Sequence, residues 1–326
     1  MKWSNFYFFF LLFIDIINLG ENMKKFIIFV VMLGLLDIAY IYRENIIHYI
    51  VFNFIYTSNT TVEEPNKYYK EQDYGFVKNT NSLIPHSKED IINIIYSGLN
   101  RGSNIIEYYC SDQNYKTCME DSTSITSNQE LLSSINDYVH PFNSYTKLSI
   151  QTNNLGRIKI LVNKLYDEEE INTLNKKVDE IIKNNINDSM NTREKIKTIH
   201  DYIINNTVYD MDAKVVDNIH VTQYKSQKAY GALIEGKAIC GGYSDATAII
   251  LSKLNIPNYK IASNNHVWNY VYVDDTWYHL DLTWDDPVVN TGDNVLLNTY
   301  FLIDTKTLLE NDTTQHSFNK EYFKEA

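Results

Sequence analysis

The sequence predicts an α+β protein, and three observations carry that prediction. Apolar residues recur at steps of three and four over several stretches, as in helices with one buried face. Two other stretches alternate apolar and polar residues around turn-forming residues, as in β-hairpins. Residues 1–56 stand apart as an almost wholly apolar region. At 326 residues the chain has room for one sizeable domain and an accessory region. Its 44% hydrophobic and 21% charged residues fit a globular chain rather than a disordered one. A net charge of −12 with no Lys/Arg-dense block argues against nucleic acid as a partner, since that affinity rests on neutralising phosphates.

In the apolar region, Trp3 to Leu19 is broken only by Ser4, Asn5, Asp15 and Asn18. After Gly20-Glu21-Asn22-Met23-Lys24-Lys25 comes a second run, Phe26 to Tyr42, with Asp37 as its one charge. Lysines ahead of an apolar core are the pattern of a signal sequence or anchor, and Met23 is an alternative start. Phe26–Tyr42 is at the short end for a span, and Ile46 to Tyr56 extends it along the interface. No small-x-small cleavage site follows. A membrane anchor is therefore expected, with a cleaved signal and a secreted product as the alternative. A buried core helix fits less well, because Lys24-Lys25 and Arg43 bracket the run as flanks of a span. Whether one run spans or both do, the lysines stay cytoplasmic and the C-terminal part lies outside.

Cys110 and Cys118 flank a polar stretch, Ser111 to Thr117, that a disulfide could close in an oxidising compartment; two free thiols are the alternative. Residues 57–86 read as a linker, punctuated by Pro65 and Pro85. Ser87 with Asp90 three residues on begins a helix whose stripe is Ile91, Ile94 and Ile95 and whose stops are Gly98 and Gly102. Tyr145–Ile150 and Arg157–Leu161 form a hairpin around Asn153-Asn154-Leu155-Gly156. A helix follows from about Asp167 to Ile186, with one buried face. Residues 87–190 make a small α/β accessory region that names no chemistry. Another helix begins near Thr192 and carries His200, which reads as a packing or surface residue.

The chemistry lies in residues 237–287. Glycines flank Cys240, and Tyr243, Ala246, Thr247, Ile250, Leu251 and Leu254 recur at helical steps up to Asn255. An amphipathic helix therefore starts at or just before Cys240. Its first turn favours thiolate, and its free N–H groups can hold an oxyanion. His266 to Val273 and Thr276 to Leu282 read as strands joined by Asp274-Asp275. With that loop Val273 faces Thr276 and Trp268 faces Asp281. His266 and Asp281 then share a face as diagonal neighbours, about 7–8 Å apart at Cα. A slip of one residue would separate them. The set matches a nucleophile, a base and the group that orients it. His279 shares the same face and competes as base. Asp285 and Asp286 compete as orienter, but an Asp-Asp-Pro turn needs no functional reason. No close His/Cys/Asp cluster has metal-ligand spacing, and no cofactor is implied.

Three blocks in order, Gly236-Lys237-Ala238-Ile239-Cys240-x-Gly242-Tyr243, His266-Val267-Trp268-Asn269 and Asp275-x-Trp277-Tyr278-His279-Leu280-Asp281-x-Thr283-Trp284-Asp285-Asp286-Pro287, resemble the bacterial transglutaminase-like superfamily. The resemblance runs from His200-Asp201-Tyr202-Ile203 and Tyr209-Asp210 through Tyr300-Phe301-Leu302 towards His316. It implies a papain-like core, a helix bearing the nucleophile packed on an antiparallel sheet, over residues 191–326. It also implies Cys240, His266 and Asp281 as a catalytic triad. Gly241 stands where a polar residue is common and removes a side chain that could have lined the pocket; Val267 replaces the usual alanine. Tyr230 is a candidate second oxyanion donor or a packing residue. Trp268 and Trp284 wall the cleft or are ordinary core. The expected activity is acyl transfer at amide bonds of a protein or peptide, cell-wall peptide included, by a surface peptidase or amidase. A glutamine cross-linker and a non-catalytic module that kept the fold are the alternatives.

Overall fold

The computed structural model describes residues 20–51, 62–111, 114–213, 225–287 and 296–326. They divide into two units, Met1–Thr60 and Thr61–Ala326. In the first, α1 (Glu21–Ile41) and α2 (Arg43–Ile50) are helical, and α1 buries none of its residues, so Phe26, Phe29 and Leu36 lie exposed. No helix among the described residues is long and apolar enough to cross a membrane; Lys24, Lys25 and Asp37 all fall inside α1. The expected span is thus not found among them. Trp3–Leu19 and residues 52–56 of the proposed extension lie outside the described residues.

In the second unit Ser87 caps α3 (Lys88–Arg101). Its hydroxyl accepts from Asp90 N at 3.1 Å, and the Asp90 carboxylate accepts from Ser87 N at 3.0 Å. The helix stops at Gly102, whose φ is 79°; Gly98, the other expected stop, sits inside it. There follow β1 (Ile105–Tyr109), α4 (Tyr115–Ser127), α5 (Gln129–Asp137), β2 (Tyr145–Thr152) and β3 (Arg157–Lys164). β2 and β3 are the expected hairpin, and β1 joins them to make an antiparallel sheet of order β1-β3-β2. Cys110 and Cys118 are joined in a disulfide, Cα to Cα 5.6 Å, tying the end of β1 to the first turn of α4. Cys118→Ser is expected to cost about 2–3 kcal/mol in urea unfolding, the closure entropy of a short loop. A loss below about 0.5 kcal/mol would mean that the bridge does not constrain the unfolded chain.

The remaining elements frame the cysteine. α6 (Glu168–Asn185) and α7 (Thr192–Asn206) both start at capping boxes, Asp167 with Glu170 and Asn191 with Glu194. β4 (Val208–Tyr209) pairs in parallel with β5 (Lys237–Ala238), which leads into α8 (Cys240–Lys253). β6 (Asn258–Ala262), β7 (Val267–Val273), β8 (Thr276–Leu280), the one-turn α9 (Leu282–Asp285), β9 (Phe301–Ile303) and α10 (Thr305–Asn311) complete the unit. The sheet order is β6-β7-β8-β9.

The β7–β8 hairpin has the register read from the sequence, from Val273 opposite Thr276 to Asn269 opposite Leu280. Asp274 (φ 53°) and Asp275 (φ 60°) take the left-handed conformations that a two-residue hairpin turn needs and that Asp tolerates. Alternation along β7 then splits its side chains between two cores. Trp268 and Tyr270 join Tyr108, Tyr138, Ile160 and Phe323, while Val271 and Val273 join Leu174, Ile199, Tyr243 and Ile250. Both cores draw residues from each side of position 190. The expected boundary between accessory region and catalytic domain therefore runs through shared packing.

α8 corrects one expectation. It is not amphipathic, since Gly242 to Leu251 are all buried. Its polar residues are satisfied internally: Thr247 donates to Tyr243 O at 2.9 Å, and Asp245 receives Lys260 Nζ at 2.8 Å.

Candidate active site

Cys240 is the first residue of α8, and the extended Ile239 (φ −108°, ψ −179°) is its cap. The first backbone N–H groups of a helix have no acceptor within it, so partial positive charge surrounds the sulfur. Cys240 is partly exposed, as a reacting residue must be. Gly241 and Gly242 are needed because the 225–227 turn lies against this end of the helix. A Cβ on Gly241 would come 2.7 Å from Gln227 O, and one on Gly242 would come 2.5 Å from Ser226 O. Gly241 is thus a close-approach residue. A side chain there would strike backbone rather than line a pocket.

His266 precedes the first paired residue of β7 and is buried. Asn269, three residues on, donates from Nδ2 to Ser244 O at 3.0 Å and so ties β7 to the cysteine helix. The His266 ring lies close enough to Cys240 for the two to interact electrostatically. Its Nε2 lies 2.5 Å from Asp281 Oδ2. Burial works against a positive His266. The Asp281 charge and hydrogen bond, helped by Cys240, outweigh it and hold the imidazole pKa up at about 10. For Asp281, burial opposes ionisation, yet His266 and His316 hold its pKa well below the usual carboxylate range.

Asp281 reaches this position differently from expectation. β8 ends at Leu280, and Asp281 is the N-cap of α9 rather than a strand residue. Its Oδ1 accepts from Thr283 N at 2.9 Å and Trp284 N at 3.2 Å, so Oδ2 is free to face the histidine.

Residues 179–282 match the family model of the transglutaminase-like superfamily. That segment is a transglutaminase-like domain. It begins within α6 and ends one residue after Asp281. Among solved structures the chain is similar to a TGase, at 17% identity and a TM-score of 0.33 over 73% of this chain and 65% of that one. It is also similar to a candidate cysteine protease from Cytophaga hutchinsonii, at 15% identity and a TM-score of 0.27 over 46% of this chain and 65% of that one. The chain thus spans just under two thirds of either structure's length. No curated protein matches it.

The competing residues around the transglutaminase-like domain have other partners. His279 accepts from Trp268 Nε1 at 2.9 Å and lies 3.0 Å from Thr305 Oγ1; burial and the His316 charge lower its pKa to about 3. Asp285 faces His200 Nε2 at 3.1 Å and accepts Tyr300 N, while Asp286 accepts the Tyr243 hydroxyl. His200 is accordingly a buried structural residue, with Asp201 on its other nitrogen at 2.8 Å. Tyr230 sits beneath the Lys225 ammonium, 4.2 Å from the ring centroid. Tyr209, paired with Ala238, is the tyrosine that feels Cys240: burial, then the sulfur's charge, raise its pKa. Trp268 stacks on His266 (5.6 Å, 17°) and Trp284 meets it edge-on (6.4 Å, 63°), so both wall the imidazole.

The residue the sequence reading passed over is His316. Its Nε2 lies 2.9 Å from Asp281 Oδ2 and its Nδ1 lies 2.9 Å from Asp312 Oδ2. The only earlier signal was its place at the far end of the family resemblance. With it, His266, Asp281 and His316 bring potential ligand atoms within 4.8 Å of one another, a cluster that sequence spacing did not show. Both imidazoles stand at hydrogen-bond distance from one carboxylate oxygen, so the cluster reads as a hydrogen-bonded array.

Proposed function

We propose that the transglutaminase-like domain transfers acyl groups from amide bonds of a protein or peptide through Cys240. The observation that carries this reading is one imidazole, His266, that interacts with Cys240 on the first turn of α8 and lies 2.5 Å from Asp281. The thiolate adds to the amide carbonyl, and the α8 N–H groups face the oxyanion. Collapse breaks the C–N bond, the amine leaves with a proton from His266, and a thioester remains on Cys240. Water or an amine then adds to the thioester as His266 takes up the proton, and the thiolate returns. Water reaches any partly exposed thioester, whereas transfer needs a bound acceptor. Hydrolysis, a peptidase or amidase activity, is therefore the reading we favour, with wall peptide among the candidate substrates.

An extracytoplasmic, membrane-attached setting belongs to the same proposal. Its support is the Cys110–Cys118 bridge, a bond that persists in oxidising compartments, and a helix of exposed apolar side chains that needs cover.

Mass spectrometry of a glutamine peptide and a panel of wall stem peptides, each with and without a primary amine, tests the reaction. Cleavage or deamidation insensitive to added amine is expected. An amine adduct as main product would make the domain a cross-linker. No product and no acyl-Cys240 from any amide would remove the enzyme reading.

A further inference from the structure

We propose that His316 is a positioning residue for this reaction: bridging Asp281 and Asp312, it fixes the carboxylate that orients His266 and limits that carboxylate's hold on the His266 proton. The inference rests on the acyl-transfer reading above and extends it to a fourth and a fifth residue.

Asp281 accepts from Thr283 N and Trp284 N on Oδ1, and faces His266 Nε2 and His316 Nε2 on Oδ2. Its four lone-pair sites are thereby taken, which leaves no room for a carboxyl proton. Asp312 takes five such contacts. Its Oδ1 accepts from Thr314 N and Thr314 Oγ1, and its Oδ2 accepts from Gln315 N and His316 N while facing His316 Nδ1. Ionised carboxylates only accept, so both nitrogens of His316 must donate. The pattern is complete when His316 carries both protons.

A line of alternating charge results, in the order His266, Asp281, His316 and Asp312, with Cys240 next to His266 at its head. Beyond the two carboxylates, the groups facing His316 are the rings of His266 (5.2 Å, 83°), Tyr300 (5.0 Å, 16°), Trp268 (4.9 Å) and Trp284 (5.0 Å), and the neutral His279. Asp285 stands behind Tyr300, whose N–H it accepts. The site is buried, with His316 itself inaccessible, so solvent screens the charge little. A cation on the far side of Asp281 offsets part of the carboxylate's field at His266. Without it both the imidazolium and the thiol hold their protons more firmly.

The test uses the purified full chain. In the wild type, ¹⁵N NMR of the histidine rings at pH 6 is expected to show both His316 nitrogens protonated; a neutral tautomer there overturns the proposal without any variant. In His316→Gln, which keeps one donor towards Asp281, the pH midpoint of Cys240 alkylation by iodoacetamide should move up. The His266 ring titration should move the same way by roughly one pH unit. A lower rate at every pH with both midpoints unmoved would make His316 merely structural. His316→Phe, which keeps the aromatic packing, should repeat the shift. Wild-type alkylation that His266→Ala leaves unchanged would instead sink the acyl-transfer reading itself, and this inference with it.

Discussion

His266→Ala is expected to lower turnover of any amide substrate on the order of 10³-fold or more, and Cys240→Ala to abolish the acyl-enzyme, because a triad acts as a unit. Alkylation of Cys240 by iodoacetamide at pH 6 should be at least roughly tenfold slower in His266→Ala, since the sulfur loses its neighbouring cation. Equal rates in the two proteins would show that the histidine does not activate the thiol. The same pair shapes stability against pH. The His266 pKa is raised to about 10 in the fold from about 6.5 unfolded, so its contribution is full below about pH 6.5 and fades as pH rises towards 10. The Asp281 pKa is depressed, so its contribution is present above about pH 4 and lost in acid. The difference in Tm between wild type and His266→Ala should therefore be greatest between about pH 4 and 6.5. A difference that grows from pH 7 to 10 would contradict the pairing.

The second large effect lies behind the site. Asp245, on α8, receives Lys260 Nζ at 2.8 Å and the Tyr166 hydroxyl at 2.7 Å, and Tyr166 in turn accepts Ala229 N at 2.8 Å. The Asp245 and Lys260 side chains are 3% and 10% exposed, so water compensates neither charge. Burial disfavours the Lys260 ammonium, but Asp245, then Asp137, hold its pKa above the usual value. Removing one partner of such a pair strands the other. Asp245→Asn is expected to cost about 3–5 kcal/mol in urea unfolding. Asp137 does not replace Asp245: burial keeps its own pKa up at about 7, and its Oδ2 has no hydrogen-bond partner among the described residues. The double variant Asp245→Asn with Lys260→Met should recover much of the loss, as it removes both charges together. A single-variant cost below about 1 kcal/mol, or no recovery in the double, would show that the pair does not hold α8 to β6.

Several features were legible because their causes are local. Ser87 with Asp90, Asp167 with Glu170 and Asn191 with Glu194 satisfy backbone groups within one turn, so spacing alone announces them. Asp274-Asp275 sets the β7–β8 register, because two left-handed residues make a tight turn that allows one pairing. Short elements were not legible. β4, β5 and β9 have two or three residues, too few to display a period of two. α8 misled for a related reason. Its stripe of residues at steps of three and four implied a solvated opposite face, whereas distant partners satisfy Asp245 inside the protein.

The sequence by itself determined that a cysteine opens a helix and that a two-residue turn sets the register of the β7–β8 hairpin. Turn chemistry, capping and periodicity act over a few residues, and those residues are adjacent in the chain. Only the tertiary structure decided what Asp281 does: it leaves the strand to cap α9 and shares its free oxygen between His266 and His316. That arrangement depends on a return of the chain 35 residues later, and no local preference encodes a contact at that separation.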